Sequence, residues 1–191
     1  MQEKNTFCTN KLLFILELAA VVFGLLYLVF IVLKKSIAWI FGILSALLYV
    51  FLFFKTQLYY QSYLQLFYVA LGFYGWWYWK KQVKITPQSW GILKHGLSLL
   101  IGLTLSLILG LKFMKNGQSL PFLDATIAVF CVLATYLTSR AILENWYYWI
   151  VLNFLSIILF HYNSLYLTEL LSFANLLLSI YGLVQWKTKP T

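Results

Sequence analysis

The sequence has too little charge to offer water a surface. Charged residues make up 10% of it and hydrophobic residues 62%, where a soluble domain carries about 25% charged residues. That excludes a soluble globular fold and predicts an all-α integral membrane protein crossing the bilayer several times. Acid is the scarcest charge, with 5 Asp and Glu against 14 Lys and Arg, a formal balance of +9. No nucleic-acid partner is expected from this excess. The basic residues stand singly or in pairs at the ends of apolar runs, which is how membrane topology uses them. Cysteine is limited to Cys8 and Cys131, far apart and without a Cys-x-x-Cys partner, so neither a disulfide framework nor a zinc site is suggested. Histidine is limited to His95, beside Lys94 at a helix start, and His161, beginning a loop. With no His-rich or Asp/Glu cluster, there is no metal set, no catalytic residue and no cofactor site to propose, and an enzyme is not expected. Met1–Asn10 is short and polar, and Lys34-Lys35 follows the first apolar run in place of a small-residue cleavage site, so the first helix is expected to stay.

What the chain does have is apolar runs of spanning length, about 20 residues each. We read seven: Leu12–Leu33, Ile37–Phe54, Leu58–Trp79, Gly91–Leu111, Leu120–Leu137, Trp146–Phe160 and Leu165–Trp186. Gln82–Trp90, with Pro87, is a polar connector, and Lys112–Ser119 is a polar loop. Loops on the N-terminal side of the membrane hold Lys4, Lys11, Lys55, Lys112 and Lys115. The opposite side holds Lys34, Lys35, Lys80, Lys81, Lys84, Lys94, Arg140, Lys187 and Lys189. The richer side is expected to be cytoplasmic, putting the N-terminus outside a cell (inner) membrane and the C-terminus inside.

The chain also repeats itself at an offset of 107 residues, without a gap. Glu17 falls on Asp124, Trp39 on Trp146, Leu58-Tyr59 on Leu165-Tyr166, and Tyr74-Gly75-x-x-x-Trp79-Lys80 on Tyr181-Gly182-x-x-x-Trp186-Lys187. Residues 12–81 and 120–187 are therefore read as two three-helix repeats, with the helix at 91–111 as an unmatched linker, all within a single transmembrane domain covering 1–191. Three helices plus a linker give both repeats the same orientation, an arrangement transporters use.

Polar stripes mark candidate binding residues. At 100° per residue, Trp146, Trp149, Asn153 and Ser156 share one helix face. Such a stripe is costly in lipid unless it faces protein, water or a ligand. On the third helix Gln61, Gln65, Tyr68 and Gly72 share a face, and their repeat partners are Thr168, Ser172, Asn175 and Ser179. Trp149, Asn153 and Ser156 fall on Gly42, Ala46 and Tyr49, so the halves offer unequal walls, as an asymmetric substrate between them would need. The candidate substrate-binding set is Trp146, Trp149, Asn153, Ser156, Gln61, Gln65, Tyr68, Tyr49, Ser172 and Asn175. The competing reading is interfacial Trp anchors and polar helix packing, with Gly42, Ala46 and Gly72 allowing close approach.

Ile40–Lys81, with Leu-Gln-Leu-Phe-Tyr-Val-Ala and Tyr-Gly-Trp-Trp-Tyr-Trp-Lys, and Asn145-Trp-x-x-Trp-Ile-Val-x-Asn followed by Leu165-Tyr-Leu-Thr, together resemble the nicotinamide riboside transporters of the PnuC type. The resemblance covers nearly the whole chain. It implies the architecture of the SWEET sugar facilitators, two three-helix bundles joined by a linker helix. It also implies uptake of a vitamin precursor by facilitated diffusion with trapping by cytoplasmic phosphorylation, a Trp-x-x-Trp pair at Trp146 and Trp149, and a homo-oligomer, a trimer. Some relatives of this type carry thiamine instead. The chemistry suits either cargo, a small cationic vitamin-like solute. An aromatic face binds such a cation at about 0.5–2 kcal/mol per contact, and Gln, Asn, Ser and Tyr serve neutral donors and acceptors. From a different class, a non-transporting structural membrane subunit would bury the same stripes in contacts.

Overall fold

Helices form here because lipid leaves a backbone no other partner. The computed structural model of the chain describes residues 2–55, 59–115, 120–164 and 166–188, with side chains described except at 2–12, 59, 60 and 167. Expectations resting on Leu58, Leu165, Lys189, loop residues 116–119, or the side chains of Lys4, Cys8, Lys11, Leu12 and Tyr59 lie outside that description. Among the described residues there are seven helices: α1 Gln2–Val32, α2 Ala38–Lys55, α3 Tyr59–Lys80, α4 Ile92–Lys115, α5 Pro121–Ser139, α6 Asn145–Tyr162 and α7 Tyr166–Thr188. α1 begins well before Leu12, because Gln2–Lys11 holds no Pro or Gly to stop it. α6 runs on past Phe160, so His161 lies in its last turn and does not begin the loop.

Among the described residues, five helices contain segments long and apolar enough to cross a membrane: Leu13–Val32, Ala38–Lys55, Ile92–Lys115, Pro121–Ser139 and Thr168–Thr188. α3 and α6 fall short because they carry Gln61, Gln65, Asn145, Asn153 and many Tyr and Trp residues. The outer faces are largely apolar, with Leu100 and Leu170 each 65% exposed. In a soluble protein that would be a liability; in a multi-pass membrane protein it is the lipid-facing surface.

The chain forms two compact units, Met1–Val83 and Lys84–Thr191. In the first, α2 packs against both α1 and α3. Ser45 Oγ donates to the Ala20 carbonyl (2.8 Å), joining α2 to α1, and Ser62 Oγ to the Val50 carbonyl (3.1 Å), joining α3 to α2. In the second, α5 packs against α4 and α6, and α6 against α7. The buried face of α4 is Gly102, Ser106 and Gly110, four residues apart, a small-residue stripe that lets helices approach closely. The Phe130 ring covers Gly102 and the Phe122 ring covers Gly110.

The same corner occurs in both units. Lys34 and Ala141 are both left-handed (φ 56° and 53°). Lys35 N–H bonds the Phe30 carbonyl and Lys34 N–H that of Ile31; Ile142 N–H bonds Leu137 and Ala141 N–H that of Thr138, all at 2.9–3.0 Å. This is a Schellman closure, which satisfies the last carbonyls of the helix. The next helix then starts with a fully buried Trp in each unit. Trp39 stands perpendicular to Trp79 (87°, centroids 5.6 Å), and Trp146 perpendicular to Trp186 (87°, 5.3 Å). Each lies against a glycine, Gly75 or Gly182, where a Cβ would come within 2.5 Å or 2.4 Å of the indole.

Candidate functional site

The structure divides the sequence-marked stripe of α6. Trp146 is 0% exposed and is enclosed by Gly182 and Trp186 of α7. Its indole N–H is buried without a hydrogen-bond partner, as is that of Trp39. It is a packing residue at this corner and offers no open ring face. Trp149, one turn on, is half-buried. Its ring packs beside Phe130, Ala134 and Leu152, and its Nε1–H donates to Thr138 Oγ1 at 3.2 Å. Asn153 is also half-buried. Its amide donates to the Trp149 carbonyl (2.8 Å) and to Ser179 Oγ on α7 (3.3 Å). Ser156 is buried.

On α7, Ser172 is buried and its hydroxyl donates to the Thr168 carbonyl (2.9 Å); Ser179 does the same to the Asn175 carbonyl (2.7 Å). Those hydroxyls keep oxygen lone pairs to accept with, while the half-buried Asn175 side chain adds an amide. α6 and α7 are thus joined through Asn153 and Ser179, while the Trp149 indole is held against α5.

In the first unit Gln61 is exposed, Gln65 and Tyr68 are half-buried, and Tyr49 stacks on Phe53 (centroids 5.4 Å). Gly42 is not an open wall. The Tyr27 ring covers it, and a Cβ there would sit 2.8 Å from that ring. In the first unit the Tyr27 side chain of α1 thus covers Gly42 of α2; in the second, Trp149 of α6 packs against the cluster of Phe130, Ala134 and Leu152.

Sequence reasoning missed the α5–α6 corner. The connector is pinned to it by Gln88 N–H to the Ala141 carbonyl (2.8 Å) and Leu143 N–H to the Gln88 carbonyl (2.7 Å). Glu144 accepts from Ser89 Oγ and from Trp90 N–H. His95, in the first turn of α4, meets the Tyr148 hydroxyl through Nδ1 at 3.1 Å and is packed between Trp90 and Tyr148. At the other end of α6, His161 pairs with Glu169 at 3.2 Å. Of the described acids, Glu144 and Glu169 are bonded, Asp124 lies in the first turn of α5, and Glu17 is exposed on α1 within the apolar segment Leu13–Val32.

A cavity of about 310 Å³ lies between α4, α5 and α6, lined by residues such as Leu99, Leu103, Phe130, Val151 and Leu155. Its polar atoms are committed elsewhere. Thr126 donates to the Phe122 carbonyl, the Tyr147 hydroxyl accepts from Lys187, and the Tyr148 hydroxyl meets His95. The lining offers hydroxyls and no amide, so the α6–α7 stripe, with Asn153 and Asn175, is the better candidate for a polar solute.

The model of a family described as nicotinamide mononucleotide transporter matches residues 14–188. The nicotinamide riboside transporter PnuC of Escherichia coli (strain K12) is 28% identical over 185 residues, covering 81% of this chain and 77% of that protein. The PnuC of Neisseria mucosa is 28% identical over 183 residues, covering 87% and 70%. A crystal structure of the vitamin B3 transporter PnuC matches with a TM-score of 0.73 at 25% identity, covering 91% of this chain and 80% of that one.

Proposed function

The chain belongs to the nicotinamide mononucleotide transporter family, whose members are membrane transporters and not enzymes, and on that premise we propose that it takes up nicotinamide riboside by facilitated diffusion. The proposal has all seven helices spanning the membrane, as two parallel three-helix repeats joined by α4. The bond-for-bond match of the Lys34 and Ala141 corners and the two Trp–Gly–Trp contacts support that arrangement. The observation that carries the function is the polar stripe of α6 and α7: the half-buried Trp149 indole and Asn153 on α6, Asn153 bonded to Ser179, and Asn175 and Ser172 along the same stripe of α7.

Nicotinamide riboside has a permanently cationic pyridinium ring. The face of Trp149 would attract it by about 0.5–2 kcal/mol through the ring quadrupole. The amides and hydroxyls would pair with the ribose and carboxamide. With no carboxylate in the stripe, the cation is held loosely enough to leave. Net uptake then needs a sink, and phosphorylation by a separate cytoplasmic kinase would supply it.

The decisive experiment titrates purified protein with nicotinamide riboside and thiamine in parallel. Nicotinamide riboside should bind more tightly. Tighter thiamine binding would move the chain to the thiamine carriers, and binding of neither would leave a structural subunit.

The excess of Lys and Arg sets the proposed orientation, N-terminus outside and C-terminus cytoplasmic. Lys35, Lys80, Lys81, Lys94 and Lys187 on the basic side, and Lys55 on the other, lie over aromatic rings at 3.6–5.9 Å, the snorkelling geometry of both interfaces. With single cysteines at Gln118 and Gln88, an impermeant thiol reagent on intact cells should label only Gln118→Cys. Labelling of Gln88→Cys alone would invert the orientation.

A further inference from the structure

Behind Trp149 lies a buried polar chain that no part of the binding stripe requires. Thr138 is 1% exposed and Asn145 0%. The Thr138 hydroxyl has one proton and two acceptors within reach, the Ala134 carbonyl at 2.8 Å and Asn145 Oδ1 at 3.3 Å. Its lone pair receives the Trp149 indole N–H at 3.2 Å. Asn145 is fixed in turn by donating from Nδ2 to the Ile142 carbonyl of the corner. The chain runs from the α5–α6 turn through an amide and a hydroxyl to the indole.

The first unit has the same corner without this chain. At the 107-residue offset, Thr138 corresponds to Ile31, Asn145 to Ala38, Trp149 to Gly42 and Ala134 to Tyr27. Ile31 and Ala38 are buried, 1% and 0% exposed, and the Lys34 turn closes with the same backbone bonds. The fold of the corner therefore needs neither the hydroxyl nor the amide. Burying two polar side chains is unfavourable unless their hydrogen bonds are used, and what sets this corner apart is the indole. An indole packed on one side only can rotate about its side-chain torsions; one hydrogen bond from Nε1 selects a single plane.

We infer that Thr138, steadied by Asn145, is a positioning residue that sets the indole plane of Trp149 for the substrate ring. This rests on the reading of Trp149 as a substrate contact. Stacking on a cation depends on ring orientation, so losing the acceptor weakens binding without touching the ligand.

The test is a double-mutant cycle on the purified full-length chain, titrated with nicotinamide riboside. Thr138→Val keeps the shape and removes the acceptor. It should raise Kd by about fivefold, the scale of one lost hydrogen bond, while Thr138→Ser restores parental binding. Trp149→Phe keeps an aromatic face but lacks the N–H, so in that background Thr138→Val should change nothing further. If Thr138→Val does not fold, Thr138→Cys, with its weak sulfur acceptor, enters the same cycle. Equal losses in both backgrounds would make Thr138 a structural residue and overturn the inference. So would parental binding by Thr138→Val beside a weakened Trp149→Ala. Parental binding by Trp149→Ala would instead remove the site reading itself, and the inference with it.

Discussion

Gly182→Val is expected to destabilise the protein more than any other single substitution considered, by about 3 kcal/mol or more, the upper range for overpacking. A Cβ at Gly182 would stand 2.4 Å from the far edge of the Trp146 indole. That ring has no route of retreat, being 0% exposed and perpendicular to Trp186 at 5.3 Å. Relief requires α6 and α7 to part, which would also break the Asn153–Ser179 bond. Gly75→Val should act in the same direction in the first unit, where the Trp39 ring is 2.5 Å from the added carbon. Gly96 is the control, with nothing within 4 Å of its Cβ position, and Gly96→Val should cost far less. Melting followed by size-exclusion of detergent-solubilised protein reads all three. A Gly182→Val protein melting with the parent would mean that α6 and α7 do not pack through this contact.

Trp149→Ala is expected to weaken nicotinamide riboside binding by about 1–3 kcal/mol, roughly 5- to 150-fold. The ring is half-buried, so its removal costs less packing than loss of Trp146 would, and its effect should fall mainly on the ligand. Asn153→Ala and Asn175→Ala should each weaken binding in the same range, because a ribose or carboxamide group loses its partner. Isothermal titration of the folded variants gives the numbers. If all three bind like the parent, the stripe is helix packing. Gly42→Trp is no clean test of an opposing wall, since the new side chain would first collide with Tyr27 of its own unit.

Much of this was legible in the sequence because lipid imposes simple rules. Apolar runs located every helix core, and their ends drifted where nothing in the sequence stops a helix, as at Gln2–Lys11. The Tyr-Gly-x-x-x-Trp-Lys match located a contact whose physics is now visible: a glycine leaves room for the indole of the preceding helix. Periodicity put Trp146 and Trp149 on one face, yet Trp146 packs on α7 and Trp149 on α5. It could not tell that Gly182 makes a socket for the first, because a socket belongs to the neighbouring helix. Periodicity was equally blind to Tyr27 over Gly42. The Thr138–Asn145 chain did carry a signal, since the offset sets Thr138 on Ile31 and Asn145 on Ala38. Polar replacing apolar inside a repeat marks a place where the two halves do different work.

The central claim is that a loose neutral and aromatic site moves a cationic nucleoside without an energy source. Coupling to protons would need a titratable group within the pathway. Of the described acids, Glu144 and Glu169 are bonded at the ends of α6 and α7, Asp124 is in the first turn of α5 and Glu17 is exposed on α1. The most direct measurement is uptake of labelled nicotinamide riboside into proteoliposomes under imposed gradients. Entry should be saturable, stop at equal concentrations on both sides, ignore pH and sodium gradients, and respond to voltage only through the substrate's own charge. Uphill accumulation of unmodified substrate driven by a proton gradient at zero membrane potential would contradict the account and make Glu17 and Asp124 the first residues to replace.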